Sequence, residues 1–256
     1  MKQLSIFLVF CSLVLTGCGV EQVPVVSEAS AEARIDVRIR WAKEHIRKGE
    51  YEEAKRPLTG ALEVDKGSPK ALNLLAFVFQ QQGDMVLAEE YYKRMLKSDA
   101  SFAPGRNNYG IFLMIQNRYD EACPHLAAAS NDPLYTGRPQ ALENLAGCYQ
   151  LAGDHELSEE TYRRVLRLTP NSSITLIELA SLVYERGESG EAWQLFDRFS
   201  ELVNQRKVEH SAKSLWLGVR LSREGRDPSM AATYALLLKN LFPQSSEYQL
   251  YKESRQ

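Results

Sequence analysis

Apolar and polar positions follow a helical period along most of the chain. From Arg34 onward, apolar side chains recur three and four residues apart, and no stretch shows the two-residue alternation of a half-buried strand. Five segments also resemble one another: RKGEYEEA, QQGDMVLA, IQNRYDEA, LAGDHELS and ERGESGEA. The pattern predicts an all-α chain built from an internal repeat.

One turn residue in each repeat fixes the period. A glycine or asparagine occupies each expected turn, with spacings of 34, 34, 36, 34 and 38 residues, at Gly49, Gly83, Asn117, Gly153, Gly187 and Gly225. Two antiparallel helices in about 34 residues make a tetratricopeptide repeat. We therefore predict six such repeats, followed by a tail over 245–256; the repeats span 35–68, 69–102, 103–138, 139–172, 173–210 and 211–244.

Small residues recur at two positions of the repeat, where its helices A and B must approach closely. With the turn residue counted as position 15, position 8 is Ala42, Ala76, Gly110, Ala146, Ala180 and Gly218, and position 20 is Ala54, Ala88, Ala122, Ser158, Ala192 and Ala231. Large residues such as Trp41, Leu75 and Tyr92 occupy the neighbouring positions 7 and 24. The expected fold is an α-solenoid, a right-handed superhelix with the A helices on its concave face.

The residues before the first repeat have a different character. Residues 4–15 form an apolar run that is too short to span a membrane but has the length of a signal-peptide core. The run ends in Leu-Thr-Gly-Cys, which resembles the bacterial lipobox, whose cysteine is lipidated after cleavage. We expect a signal peptide over 1–17, a lipidated Cys18 and a flexible tether over 18–34, with an ordinary secreted protein as the alternative. Gly19 in place of aspartate implies, by the same resemblance, the periplasmic face of the outer membrane.

Composition and motifs argue against catalysis and against nucleic acid. The formal net charge is -2, so no basic footprint for nucleic acid is present. His45, His125, His155 and His210 fall in different repeats without metal-ligand spacing, and no G-x-S-x-G, phosphate-loop or H-E-x-x-H motif occurs. We expect a protein that is not an enzyme and that has no cofactor, metal or small-molecule substrate.

Two cysteines fall at facing positions of neighbouring repeats. Cys123 is at position 21 of the third repeat, and Cys148 is at position 10 of the fourth. Helix B of one repeat runs antiparallel to helix A of the next, so facing positions keep a constant sum, and 21 faces 10 if 24 faces 7. In an oxidising compartment this register predicts a disulfide. Two buried free thiols are the alternative.

Helix A should direct positions 2, 5, 9, 12 and 13 into the concave groove. In the first three repeats these positions combine apolar side chains with amides and one cation: Ile39, Lys43, Ile46, Asn73, Phe77, Gln80, Asn107, Ile111, Met114 and Ile115. Apolar anchors supply contact area, and amides bond to a peptide backbone. We expect a protein or peptide segment to bind there. For Phe77 and Ile111, packing between neighbouring A helices is the alternative.

The chain as a whole resembles the type IV pilus biogenesis/stability lipoproteins (PilF/PilW), the pilotins of the pilus secretin. The resemblance rests on the lipobox, the tether, the six repeats and the stretch RIRWAKEHIRKGEYEEAKRPLTGALEVD, and the cysteine pair also fits it. It implies a protein that binds secretin subunits, promotes their outer-membrane localisation and multimerisation, and so supports twitching motility. The alternative is another lipid-anchored scaffold that serves barrel-assembly or peptidoglycan machinery.

Overall fold

The computed structural model describes residues 30–254, in which every regular element is an α-helix. The helices are α1 (Ala31–Arg47), α2 (Tyr51–Val64), α3 (Pro69–Gln81), α4 (Met85–Ser98), α5 (Ala103–Ile115), α6 (Tyr119–Asn131), α7 (Arg138–Ala152), α8 (His155–Leu168), α9 (Ser173–Glu185), α10 (Ser189–Asn204), α11 (Ala212–Glu224), α12 (Pro228–Leu241) and α13 (Ser246–Glu253). Helices α1 to α12 form six antiparallel A–B pairs, and each pair packs on the next. The predicted all-α solenoid of tetratricopeptide repeats is confirmed.

The small residues hold the two helices of each pair together. Ala42, Ala54, Ala76 and Ala88 are fully buried, as their equivalents in the later pairs nearly all are. At Gly110, a Cβ atom would lie only 2.6 Å from the Leu126 side chain. Close helix packing therefore depends on the absence of a larger side chain at these positions.

The turn inside each pair uses one residue with a left-handed backbone. Gly49, Gly83, Gly153 and Gly187 adopt φ values between 77° and 92°, and Asn117 adopts 59°. In the sixth pair the prediction of Gly225 is wrong by one residue, because Gly225 has a φ of -70° and Arg226 takes the left-handed conformation at 57°. The extra residue in this turn shifts the conformation onto the residue directly before Asp227, whose side chain caps α12.

Neighbouring pairs pack mainly where the B helix of one pair meets the A helix of the next, and successive A helices add contacts of their own. Helices α1 and α3, α3 and α5, α5 and α7, and α9 and α11 contact each other, whereas no two B helices in the described range pack closely. The A helices therefore occupy the shorter, inner arc of the solenoid. Leu75, Tyr109 and Leu145, at position 7, are almost completely buried against the preceding pair. Trp41 holds the same position but is 63% exposed, because no helix pair precedes it within residues 30–254.

Both ends of the solenoid differ from the sequence prediction. The expected tether over 18–34 ends earlier, because Ser30 caps α1 by accepting a hydrogen bond from the backbone N–H of Ala33 at 3.2 Å and the helix starts at Ala31. The expected tail over 245–256 contains α13, whose Tyr251 ring lies 6.4 Å from that of Trp216 on α11. The predicted signal peptide and Cys18 lie outside the described residues. Within residues 30–254, no helix is both long and apolar enough to cross a membrane.

Candidate binding groove

The inner face of α1, α3 and α5 carries a row of side chains that are only partly covered. Ile46, Phe77, Gln80, Ile111 and Met114, all at positions 9 and 12, are partly exposed, and Lys43 is exposed. One side of Ile111 and Met114 packs against the buried cluster of the second to fourth pairs. The structure thus places these predicted groove residues on one surface, where they combine packing with an accessible edge.

Position 5 does not belong to that accessible surface. Ile39, Asn73 and Asn107, which the register assigns to the groove, are 5%, 5% and 6% exposed, so the structure places them beneath the accessible surface. The reason is inter-repeat packing, since each of these side chains is covered by the neighbouring A helices. Ile39, for example, belongs to the same buried cluster as Leu75 on α3. Position 5 forms the layer beneath the groove.

A ladder of amide side chains runs through this layer. The Nδ2 of Asn108 donates to the Oδ1 of Asn73 at 3.2 Å, and the Nδ2 of Asn144 donates to the Oδ1 of Asn107 at 2.9 Å. A weaker contact of 3.4 Å joins Asn107 to Asn108, so the ladder links α3, α5 and α7. Sequence reasoning missed Asn108 and Asn144, although asparagine at positions 5 and 6 of successive repeats was a readable signal. These amides are hydrogen-bonded to one another and fix the spacing of the A helices.

The amide of Gln80 keeps its donor end available. Its Oε1 accepts a hydrogen bond from the buried hydroxyl of Tyr92 at 3.1 Å, which orients the side chain. Burial raises the pKa of that phenol well above its usual value, so it stays protonated and can donate. Gln80 is therefore a positioned amide on the accessible surface, as a backbone-binding residue has to be.

Further apolar side chains extend the same face. Ile115 is 58% exposed at position 13 of the third repeat, as predicted from the register. Leu151 at position 13 of the fourth repeat and Ile174 at position 2 of the fifth are 56% and 60% exposed, and sequence reasoning missed both. Both could have been found by applying the inward-pointing positions of the first three repeats to the fourth and fifth repeats. The groove thus reaches from α1 to the start of α9.

Ion pairs on the B-helix side join successive repeats. Arg118 pairs with Glu89 at 3.0 Å and with Glu121 at 2.7 Å. Burial acts to raise the pKa of Glu89, but hydrogen bonds from Lys93 and Arg118 outweigh it and lower that pKa. A similar network around Arg163 links α8 to α10. These pairs are part of the scaffold, and their charges are satisfied without a ligand.

The two predicted partner cysteines form a disulfide in the structure. Cys123 on α6 and Cys148 on α7 have Cα atoms 5.7 Å apart, within the range that a disulfide spans. Both side chains are buried in the cluster of the second to fourth pairs. The bond connects the third repeat to the fourth, beneath the groove.

The histidines do not assemble into a reactive site. Burial, with help from Arg106, lowers the pKa of His125, and burial lowers the pKa of His210. His45 pairs with Glu50 at 2.7 Å at the turn of the first repeat. In the part of the chain that the structure describes, no group of histidine, cysteine and acidic side chains is arranged to hold a metal ion.

Comparisons with known proteins agree with the fold. Family models of the tetratricopeptide repeat match residues 39–104 and 141–173. The chain is 37% identical, over 243 residues, to the type IV pilus assembly protein PilF of Pseudomonas aeruginosa, and the match covers 94% of both chains.

Two solved structures have the same architecture over most of the chain. One, from a functional characterization of Pseudomonas aeruginosa PilF, has a TM-score of 0.81 at 36% identity and covers 88% of this chain and 100% of the other. The crystal structure of PilW, described as a widely conserved type IV pilus biogenesis factor, has a TM-score of 0.72 at 26% identity and covers 85% and 97% of the two chains.

Proposed function

The chain belongs to the family of the type IV pilus assembly protein PilF, and from this membership we propose that it is the pilotin of a pilus secretin. In this role it is a lipoprotein of the outer membrane, held at the periplasmic face by acyl chains on Cys18. It binds secretin subunits in its concave groove and promotes their localisation and multimerisation. The observation that carries the proposal is the 37% sequence identity to PilF in an alignment that covers 94% of both chains.

The groove supplies the surface for a secretin segment. Phe77 is partly exposed and stands outside the buried clusters, Gln80 is oriented by Tyr92, and Ile115 adds an exposed apolar side chain nearby. Partly exposed apolar anchors between fixed polar groups suit an extended or helical protein segment. The amide ladder beneath keeps the anchors at a fixed spacing, so little order has to be gained on binding.

The lipid anchor supplies the location. A single acyl chain binds a membrane only marginally, whereas two or more make a stable attachment, and the lipobox resemblance implies several on Cys18. From Cys18 to Ser30, twelve residues of chain reach at most about 40 Å. A secretin subunit held in the groove is thereby kept close to the membrane in which it assembles.

A deletion strain complemented with variants tests the proposal. Wild type should restore secretin multimers that resist detergent, and Cys18→Ser should leave the protein in soluble or inner-membrane fractions with few multimers. Phe77→Ala combined with Ile111→Ala should weaken secretin binding in a pull-down while the helical circular dichroism stays unchanged.

Val86→Ala is the matched control, since Val86 is an apolar side chain 81% exposed on α4, away from the groove. It should behave as wild type. Normal secretin multimers in the deletion strain would refute the pilotin role. A large loss of thermal stability in the Phe77/Ile111 variant would mean that these residues serve packing alone.

A further inference from the structure

In the described solenoid, the residue at position 7 is covered by the preceding repeat everywhere except in the first repeat, whose outer face is open. Leu75, Tyr109, Leu145, Leu179 and Leu217 are all 4% exposed or less, whereas Trp41 is 63% exposed. An open groove of about 1030 Å³ runs beside Trp41 between α1 and α2. Tryptophan, with a large apolar face and one polar N–H, is enriched at interfaces and in the headgroup belts of membranes.

Three cations around Trp41 have no ion-pair partner in the described part of the chain. Arg34, Arg38 and Arg56 line the groove, and none of them forms an ion pair with any residue in the range 30–254. By contrast, Arg47, Arg118, Arg163 and Arg186 are all held by glutamates.

A glycine on α2 leaves room for the side chain of Arg38. The side chain of Arg38 passes over Gly60 on α2, where a Cβ atom would lie 2.9 Å from its Nε. Glu53 and Glu63 also line the groove without an ion-pair partner among the described residues. Guanidinium and carboxylate groups that flank one another without pairing match a ligand surface that carries both signs of charge.

The position of this face relative to the chain's N-terminus indicates which ligand surface that is. Arg34, Val37, Arg38 and Trp41 all fall in the first three turns of α1, so Trp41 is only about 16 Å along the helix from Ser30. The twelve residues between Cys18 and Ser30 reach about 40 Å at full extension. Along the chain, this is the described face nearest to the proposed anchor.

We propose that the first-repeat face, formed by Arg34, Val37, Arg38, Trp41 and Arg56, docks on the phospholipid surface to which Cys18 is attached. The inference rests on the proposed lipid anchor. Phosphate groups of the lipid pair with the arginines, and headgroup ammonium groups lie against the glutamates. Trp41 sits at the level of the headgroups, where indole rings are favoured. The solenoid thus lies with its first repeat on the membrane and its groove facing the periplasm.

Quenching of Trp41 by brominated lipid tests the docking directly. The chain starting at Cys18, which includes every described residue, is coupled through that thiol to a maleimide lipid in vesicles of phosphatidylethanolamine and phosphatidylglycerol. This coupling makes the assay independent of acylation in the cell. Replacing the lipids by brominated ones should quench part of the tryptophan emission, while Trp193 and Trp216, in the last two repeats, provide a constant background. Trp41→Phe should abolish the quenched part.

Charge variants separate docking from chance proximity. The triple variant Arg34→Glu, Arg38→Glu and Arg56→Glu should lose most of the quenching. The matched triple Lys97→Glu, Arg167→Glu and Lys239→Glu reverses exposed cations that also lack ion-pair partners, and it should be quenched as wild type. Coupled wild-type protein whose emission brominated lipid leaves unchanged would overturn the docking and leave this groove for a protein segment. Absence of acyl chains from Cys18 in cells would instead overturn the proposed anchor.

Discussion

The disulfide between Cys123 and Cys148 should stabilise one joint of the solenoid selectively. It ties α6 to α7 across the turn between the third and fourth repeats. This turn belongs to the repeat with a spacing of 36 rather than 34 residues, and its Leu134 is 88% exposed. The perturbation is the double variant Cys123→Ala and Cys148→Ala, which removes the bond without leaving a polar group in the buried cluster around it. In a solenoid each repeat contacts only its neighbours, so the loss should remain local.

The size of the effect follows from the length of the closed loop. The two cysteines are 25 residues apart. In the chain-entropy model, a loop of this length is worth about 3.5 kcal/mol at room temperature. At 1.4 kcal/mol per factor of ten, local opening of the joint should become roughly 300-fold more frequent without the bond.

Hydrogen exchange read by mass spectrometry measures this opening helix by helix. Amides of α6 and α7 should exchange faster in the double variant by about that factor, whereas those of α11 and α12 should change little. Wild type treated with a reductant is the control and should approach the variant. Unchanged exchange in α6 and α7, or an equal increase in all helices, would refute the reasoning.

Three further predictions concern packing and pH. Gly110→Ala places a Cβ 2.6 Å from a leucine side chain and should lower the free energy of unfolding by about 1–3 kcal/mol in chemical denaturation, while Gly190→Ala, with nothing within 4 Å, should be neutral or slightly stabilising. Asn107→Ala removes the acceptor of the Asn144 Nδ2 and the donor to the Asn108 Oδ1, and should cost about 1–3 kcal/mol in the same assay. An unchanged denaturation midpoint would mean that the ladder does not contribute to stability. Burial lowers the folded-state pKa of His125 and His210 below 6.5, so the unfolded chain binds protons more readily and the free energy of unfolding should decline as the pH falls below that value. Thermal denaturation across this pH range should show the decline, and replacing both histidines with Gln should flatten it.

The internal architecture of the repeat could be predicted from sequence because it depends on local spacing. Small residues at positions 8 and 20 and large ones at positions 7 and 24 are set within one helix pair, and Ala76, Ala88 and Tyr92 are buried as that spacing requires. The facing of Cys123 and Cys148 also follows from register alone, since antiparallel helices keep a constant sum of positions. These features need no knowledge of how the repeats stack.

What the sequence could not supply depends on the stacking itself. Whether position 5 is open or covered is decided by the distance between neighbouring A helices, which no single repeat encodes, so the sequence alone cannot show that Asn73 and Asn107 lie beneath the accessible surface. Helix α13 was missed because eight residues carry too little periodicity to be recognised; its contacts with α11 and α12 form it. Trp41 matches the pattern of its equivalents in sequence, and it is exposed because it belongs to the first helix pair of the described range.

The groove closes toward the C-terminal end, which limits where a partner segment docks. At position 9, Phe77 and Ile111 are partly exposed, whereas Ser181 is 3% exposed and Val219 is fully buried. Helix α13 adds to this closure by packing against α11. The accessible apolar anchors at position 9 therefore lie in the first three repeats, the half of the solenoid that also contains the first-repeat face. Under the proposed function, a secretin segment bound there would be held close to the membrane without any bending of the solenoid, because the same half carries the proposed docking residues and follows the proposed tether.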